Sequence, residues 1–198
     1  MVVRNKREII MVSFDVVDEY VKKALSERRY FHSKCVVKGC VELAKIYGVD
    51  KKKAELVGIA HDVAKEMSRD EKLDFVEKNG IEADEVELKS PELLHAKIGG
   101  YIGVKEFGFS EDMGEAIANH TTGKPNMDIL SKILFVADAT SEDRDYDHRE
   151  DIFKLAKTDL DSAILIILDF IINDIIEKNK MLHSNTIMCR NWILSEME

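Results

Sequence analysis

Four histidines and two aspartates occupy positions along the sequence that suit metal chemistry. They are His32, the adjacent pair His61-Asp62, His95, His120 and Asp138. Neutral imidazole nitrogens and carboxylate oxygens bind divalent metals such as Fe, Mn, Zn and Co. Neighbouring residues on a helix point about 100° apart, so His61 and Asp62 can reach one ion only where it lies against the end or flank of a helix. The set predicts a metal centre that also has room for a water molecule.

The combination of these residues is more informative than any one of them. Taken alone, His32 or His61 would be interpreted as an ordinary core or surface histidine. Asp138 changes that interpretation because it follows the apolar run 133–137 near the end of a predicted helix. Burying a carboxylate is costly unless it meets a cation or hydrogen-bond donors. A shared ion is therefore the better explanation.

The secondary structure around these residues is predicted to be helical throughout. Apolar residues recur at helical spacing, and only two prolines and ten glycines interrupt the chain. Gly48 is placed to end one helix, and Ser68 with Glu71 forms a capping box that begins another. No segment alternates like a strand, and no repeat or linker divides the chain. Apolar stripes cover 16–25 and 36–47, and further helices are predicted at 51–63, 69–80, 91–107, 111–120, 129–139, 152–158, 160–178 and 185–194.

Composition and charge exclude several functional classes. The 198 residues are 45% hydrophobic and 34% charged, as in an ordinary globular protein, and the formal net charge is -9. An acidic chain is a poor match for a nucleic-acid-binding surface. The apolar run 163–176 is too short to span a bilayer and carries Asp169 and Asp174. We expect no membrane partner, no secretory signal, and a cytoplasmic location in which Cys35, Cys40 and Cys189 are reduced thiols.

The order of these motifs resembles a known family. His32, His61-Asp62 and Asp138 give the H…HD…D order of the HD superfamily of metal-dependent phosphohydrolases. The wider string is similar to the YqeK family of bacterial symmetrical diadenosine tetraphosphate hydrolases, and it comprises RRYFHSKCV (28–36), GIAHDVAKEMS (58–68), LLHAKIGGYI (93–102), ANHTTGKPNM (118–127) and ILFVADATSEDR (133–144). This resemblance implies an all-α fold, a single HD-domain helical bundle over residues 15–198. The basic N-terminal extension before it, residues 1–14, departs from the usual beginning of the family.

The resemblance also implies the metal ligands. They would be His32, His61, Asp62 and Asp138, holding one iron-like ion, with Mn, Co or Zn as alternatives. His95 and His120 correspond to residues that contact nucleotide phosphates. Related two-metal HD proteins use histidines in similar order for a second ion, so a second ion is the alternative role of this pair.

Further residues are assigned to substrate binding and catalysis. By resemblance, Arg29, Thr121 and Arg144 bind the nucleotide, together with His32. Lys65 lies one helical turn from His61, where its ammonium group can bind a phosphate. Asp62 is predicted to take the proton of the attacking water as well as bind the ion. The two remaining candidate catalytic residues, His95 and His120, would donate a proton to the departing phosphate if protonated. The implied reaction converts diadenosine tetraphosphate to two molecules of ADP.

The same residues are compatible with two other functions. One is another HD-type nucleotide hydrolase, such as a 5'-nucleotidase, a cyclic-nucleotide phosphodiesterase or a guanosine-tetraphosphate hydrolase. The other is a non-catalytic helical nucleotide sensor.

The oligomeric state is open, with a homodimer as one candidate because helical domains of this size often dimerise. His148 and His183 are predicted to lie at the surface, and Phe170 and Trp192 in the core.

Overall fold

A computed structural model describes residues 12–197 of the chain, and within that range it contains helices and no strand. The all-α prediction is therefore confirmed. No helix in the described part combines the length and apolar character that crossing a membrane requires. The predicted extension, residues 1–14, falls mostly outside the described range, and its boundary stays a prediction.

The helices follow one another with short connections. In chain order they are α1 (Phe14–Ala24), α2 (Glu27–Tyr47), α3 (Lys51–Ala60), α4 (Arg69–Asn79), α5 (Glu85–Lys89), a 3-10 turn (Pro91–Leu93) that leads into α6 (Leu94–Lys105), α7 (Glu111–Asn119), α8 (Ile129–Ala139), α9 (Arg149–Ala156), α10 (Leu160–Glu177) and α11 (Ser184–Met197).

Local sequence signals set several of these boundaries. Gly48 ends α2 in the left-handed conformation, with φ of 70°, which glycine adopts without steric cost. Ser68 accepts from the backbone N–H of Glu71, whose side chain accepts in return from Ser68, so the predicted capping box begins α4. These stops and starts were predictable because each depends on residues only three or four positions apart.

The core forms around α2, α3 and α8. Helix α2 packs against α3 and α8, α7 packs against α6 and α8, and α10 covers α8 from another side. Gly58 lets α3 approach α2 closely, because a Cβ atom there would lie 3.0 Å from the Cα atom of Val37. This close crossing brings His61, which directly follows α3, towards His32 on α2.

Some predicted boundaries were wrong. The apolar stripe at 36–47 belongs to a longer helix, α2, which begins at Glu27 and therefore also contains His32. Helix α3 stops at Ala60, and residues 61–67 form a series of turns that the periodic pattern did not distinguish from helix. The short helix α5 was not predicted at all.

The predictions for two apolar aromatic residues had different outcomes. Phe170 was expected in the core but is 48% exposed on the outer side of α10. Trp192 on α11 is half-buried and packs against the core. Helical periodicity identified α10, but only the packing of its neighbours determines which side is covered.

Candidate metal centre

His32 enters the site from the second turn of α2 and is buried. Its Nε2 atom lies 2.9 Å from Oδ1 of Asp138, which stands near the end of α8. Its Nδ1 atom lies 2.9 Å from Oδ2 of Asp143 in the loop after α8. Because an ionised carboxylate only accepts hydrogen bonds, Nδ1 donates its proton to Asp143. The Nε2 atom therefore points to the space shared with Asp138.

The other three imidazoles are oriented by the backbone. His61 follows the last turn of α3, His120 follows the last turn of α7, and His95 lies in the first turn of α6. Each donates its Nδ1 proton to the carbonyl oxygen three residues earlier, because a carbonyl can only accept. The acceptors are Gly58 for His61 at 2.8 Å, Glu92 for His95 at 2.5 Å and Ile117 for His120 at 2.7 Å. In the neutral ring, each Nε2 atom then presents a lone pair to the interior of the site.

The Asp62 carboxylate lies between these imidazoles, with its two oxygens facing different neighbours. Oδ2 lies 3.4 Å from Nε2 of His61 and 3.9 Å from Nε2 of His32. Oδ1 lies 3.2 Å from Nε2 of His95 and 3.7 Å from Nε2 of His120. Asp62 therefore separates the site into two adjoining groups of ligand atoms.

The arrangement fits a divalent cation. Nε2 of His61 and Oδ1 of Asp62 are buried, and neither has a hydrogen-bond partner among the described residues. A buried polar atom without a partner is costly, and lone pairs that face one another add repulsion. A cation at their centre would remove both penalties. Three overlapping groups have ligand atoms close enough to hold an ion, namely His32-His61-Asp62, His61-His120-Asp138 and Asp62-His95-His120.

Two arginines accompany the carboxylates at the outer side of the site. Arg29 places one guanidinium nitrogen 2.9 Å from Oδ2 of Asp62, and Arg144 places one 2.6 Å from Oδ1 of Asp138. Burial by itself would raise the pKa of Asp138, but the Arg144 guanidinium and the neighbouring imidazoles lower this pKa well below its usual range. Both arginines also line the cavity beside the site.

Lys65 and Thr121 line the opposite side, beside His95. The Lys65 ammonium lies 3.1 Å from Nε2 of His95, and the Thr121 hydroxyl lies 3.3 Å from the same atom and 3.2 Å from Nε2 of His120. Burial lowers the pKa of His95 to about 4, and the charge of Lys65 adds to this effect. The proton-donor role of His95 stays a prediction, because it applies only to a protonated ring.

A cavity of about 500 Å³ opens beside the arginines. Ser26 and Glu66 are among its lining residues, and the Ser26 hydroxyl donates to Glu66 at 2.7 Å. It is lined by Ser26, Arg28, Arg29, His32, Glu66, Asp143, Arg144 and Asp145. Arg28, Glu66 and Asp143 were not singled out from the sequence. Their charge was visible there, but an isolated charged residue gives no indication that it faces a cavity.

The structure brings all ten predicted site residues together. These are Arg29, His32, His61, Asp62, Lys65, His95, His120, Thr121, Asp138 and Arg144, and the shortest contacts above connect each of them to another member. Their assigned roles remain predictions. His148 is exposed, as predicted.

The surface prediction for His183 was wrong. His183 is 4% exposed and caps the start of α11, where its Nδ1 atom accepts from the backbone N–H of Asn185 at 3.1 Å. Its Nε2 atom lies 2.8 Å from Asp84 and 3.9 Å from Glu87, so the three residues form a further acidic cluster. Since Nδ1 already accepts a hydrogen bond, the neutral ring carries its proton on Nε2 and cannot bind a metal there. The cluster joins α5 to α11.

Comparisons with known proteins agree with this geometry. The HD domain family model matches residues 29–143, more than half of the chain. The chain is 37% identical over 181 residues to the symmetrical bis(5'-nucleosyl)-tetraphosphatase of Halalkalibacterium halodurans, covering 91% of this chain and 96% of that protein. It is 35% identical over 176 residues to the protein of the same name from Bacillus subtilis, covering 88% and 94% of the two chains.

A solved structure is similar over nearly the same length. It is a crystal structure from Clostridium acetobutylicum described as a predicted HD superfamily hydrolase involved in NAD metabolism. The TM-score is 0.90 at 36% sequence identity, with 94% of this chain and 99% of that chain covered. The resemblance found from the motifs therefore extends to the fold.

Proposed function

Because this chain belongs to the HD-domain family and, within it, to the symmetrical bis(5'-nucleosyl)-tetraphosphatases, we propose that it hydrolyses diadenosine tetraphosphate to two molecules of ADP. The observation that carries the proposal is the convergence of four imidazole Nε2 atoms on the Asp62 and Asp138 carboxylates. Such a donor set suits a divalent metal that assists hydrolysis.

The first group of ligands would hold the catalytic ion. His32, His61, Oδ2 of Asp62 and Oδ1 of Asp138 supply two nitrogens and two oxygens. We propose Fe as the native metal, with Mn, Co and Zn as alternatives, since imidazole and carboxylate accept all four. Elemental measurement on protein purified without added metal tests this choice.

The second group can hold a second ion. Oδ1 of Asp62 faces His95 and His120, whose Nε2 atoms lie 3.2 Å apart. These atoms are close enough to share one ion, and Asp62 would then bridge the two groups. A metal-to-protein ratio of two would support this arrangement, whereas a ratio of one would leave His95 and His120 for phosphate contacts.

Hydrolysis then depends on which of the protein's residues bind the phosphates and which one accepts the proton of the attacking water. When bound, a divalent ion lowers the pKa of a water molecule and polarises the phosphoryl group. Arg29 and Arg144 on one side, and Lys65 with Thr121 on the other, would bind phosphate oxygens and offset the charge that develops on them. In the one-ion arrangement, Oδ1 of Asp62 is available to accept the proton of the water. Cleavage leaves the departing ADP with its negative charge facing these cations.

The position of these three cations and of the Thr121 hydroxyl supports symmetrical cleavage. Arg29 and Arg144 lie beside the first ligand group, and Lys65 and Thr121 lie beside the second. A chain of four phosphates crossing the site would have positive or hydrogen-bonding groups on both sides of its central bridge. The cavity beside the arginines has the volume for a nucleoside portion on that side.

Product analysis tests the proposed reaction. Metal-loaded protein incubated with diadenosine tetraphosphate should give ADP as the sole product, and AMP with ATP would contradict the symmetrical reaction. Cleavage of a nucleoside monophosphate, a cyclic nucleotide or guanosine tetraphosphate with no attack on diadenosine tetraphosphate would favour another HD-type hydrolase. Tight nucleotide binding without turnover would favour the sensor.

We further propose that the protein acts in the cytoplasm on a small nucleotide, without nucleic-acid partners. The net charge of -9 supports the second part of this proposal. The three cysteines are free and buried, which supports a reducing compartment. Burial raises the pKa of Cys35 to about 12 and that of Cys189 to about 11, so these thiols stay protonated and unreactive. The homodimer stays a prediction, which light scattering in solution would test.

A further inference from the structure

His32 differs from the other three imidazoles in the acceptor of its Nδ1 proton. His61, His95 and His120 each donate this proton to a neutral backbone carbonyl. His32 instead donates to a charged carboxylate, with Oδ1 and Oδ2 of Asp143 at 3.1 and 2.9 Å. A charged acceptor holds the ring more strongly than a neutral one and makes the opposite nitrogen a better electron donor.

The location of His32 in α2 explains why it needs a side-chain acceptor. His61 and His120 follow helix ends, where the last carbonyl oxygens lack the backbone donor four residues later that those inside a helix have. His32 lies inside a helix of 21 residues, so the carbonyls near it belong to that ladder. The carbonyl three residues earlier, that of Arg29, also accepts from the hydroxyl of Ser33 at 3.3 Å. Asp143 supplies the acceptor that the backbone does not.

The loop that carries Asp143 is itself fixed to the end of α8. Arg144 donates to the carbonyl oxygen of Asp138 at 3.1 Å, and the Tyr146 hydroxyl donates to that of Ala139 at 2.8 Å. The Asp143 side chain is about one-fifth exposed, at 22%, so water screens its contact with His32 only in part. Asp143 and Asp138 are therefore held on opposite sides of one imidazole.

We propose that Asp143 is a positioning residue for the metal centre, which holds the His32 ring by its Nδ1 proton and directs Nε2 to the ion shared with Asp138. The proposal rests on the proposed function only in requiring that the first ligand group binds a metal. Asp143 would not touch the ion in this role, and its effect on metal binding would pass through His32.

An alternative explanation needs no metal. A doubly protonated His32 could form a salt bridge with Asp138 on one side and Asp143 on the other, and the triad would then serve stability only. The two explanations differ in what removal of Asp143 does. A positioning residue affects the affinity for metal, whereas a structural triad affects the free energy of unfolding of the metal-free protein.

Cobalt binding by the full chain separates these explanations. Metal-free protein is titrated with Co²⁺ in competition with a chelator, and the visible absorption bands of the bound ion report its coordination. The variants are Asp143→Ala, which removes the acceptor, and Asp143→Asn, whose carboxamide oxygen still accepts from Nδ1 but carries no charge. Asp147→Asn is the matched control, because Asp147 lies on the same loop, is exposed, and forms no ion pair among the described residues.

We expect Asp143→Ala to weaken Co²⁺ binding by about 10- to 100-fold, the usual effect of losing a partner behind a metal-binding histidine. Asp143→Asn should lose less and keep absorption bands closer to those of the unmodified protein, and Asp147→Asn should bind as the unmodified protein does. Thermal unfolding of the metal-free variants should stay unchanged.

Three results would overturn the proposal. Asp143→Ala could bind Co²⁺ as tightly as the unmodified protein does. It could weaken binding only as much as Asp147→Asn, which would indicate a general effect of charge. It could also unfold at a lower temperature without metal and show no rescue by Asp143→Asn, which would indicate the structural triad. If the unmodified protein binds no Co²⁺, the proposed metal centre fails together with this inference, whereas the first three results leave that centre in place.

Discussion

At the residue scale, the acceptor of each Nδ1 proton determines where the imidazoles point. A neutral histidine has one donor and one acceptor nitrogen, so fixing the donor fixes the direction of the other lone pair. Four rings with their Nδ1 atoms turned outwards direct their Nε2 atoms to one interior space. The sequence contains the histidines, but the acceptors are mostly backbone oxygens that any residue could supply.

Replacing His61 tests the centre at this scale. His61→Ala should abolish stoichiometric metal binding and hydrolysis, because its Nε2 atom lies within 3.8 Å of both Asp62 and Asp138. The helical content should be retained, because that nitrogen has no hydrogen-bond partner to lose among the described residues. Elemental analysis and far-ultraviolet circular dichroism measure the two effects.

The exposed His148 provides the matched control for this change. His148→Ala removes an imidazole whose side chain is 71% exposed and should alter neither metal content nor activity. Retention of a full metal complement by His61→Ala would contradict the assigned ligand set.

At the element scale, the turns at 61–67 carry the central part of the site. They follow α3 directly and contain His61, Asp62 and Lys65. The buried Lys72 on α4 fixes their end, because its ammonium donates to the carbonyl oxygens of Lys65 at 3.0 Å and Met67 at 2.5 Å. Burial lowers the pKa of Lys72, yet no ion pair with a carboxylate compensates it among the described residues.

Removing the Lys72 ammonium should therefore loosen these turns. Lys72→Met keeps most of the apolar stem but leaves two carbonyl oxygens without their donor. We expect a loss of about 1–3 kcal/mol in the free energy of unfolding, the usual cost of unsatisfied buried groups. Urea unfolding measures this loss, and Lys72→Arg should recover part of it.

Lys78 on the same helix gives the comparison. It is exposed near the end of α4, so Lys78→Met should change the free energy of unfolding by less than about 0.5 kcal/mol. Equal effects of the two methionine variants would mean that Lys72 contributes only its charge to the helix and does not fix the turns.

At the scale of the whole molecule, the site connects parts of the chain that are far apart in sequence. His32 and Asp138 are 106 positions apart and meet at 2.9 Å. An ion bound to both, and to His61 and Asp62, would join α2, the turns after α3, and α8. Since the unfolded chain cannot arrange these ligands, metal binding should stabilise the folded state.

Thermal unfolding with and without metal measures this coupling. At a free metal concentration about 100 times its dissociation constant, binding should add about 2.7 kcal/mol to the free energy of unfolding. A chelator should remove the gain, and His61→Ala should show none. An unfolding temperature that does not respond to Mn²⁺, Co²⁺ or Fe²⁺ would mean that these residues do not form one cation site.

The helical fold, the family and the ten residues that meet at the site were all predictable from local patterns and motifs. Helical periodicity, capping residues such as Ser68 and stops such as Gly48 act over a few positions, so they can be recognised without knowing what packs where. The ordered motifs around His32, His61-Asp62, His95, His120 and Asp138 add the ligand chemistry.

How these residues face one another became visible only in the folded molecule. It showed that the two oxygens of Asp62 serve different imidazoles, that Asp143 lies behind His32, and that His183 is buried against Asp84. Local patterns do not predict these contacts, because the contacts join helices or loops distant in sequence. Their distances depend on how closely helices pack, as where Gly58 of α3 meets Val37 of α2, and no local pattern specifies that.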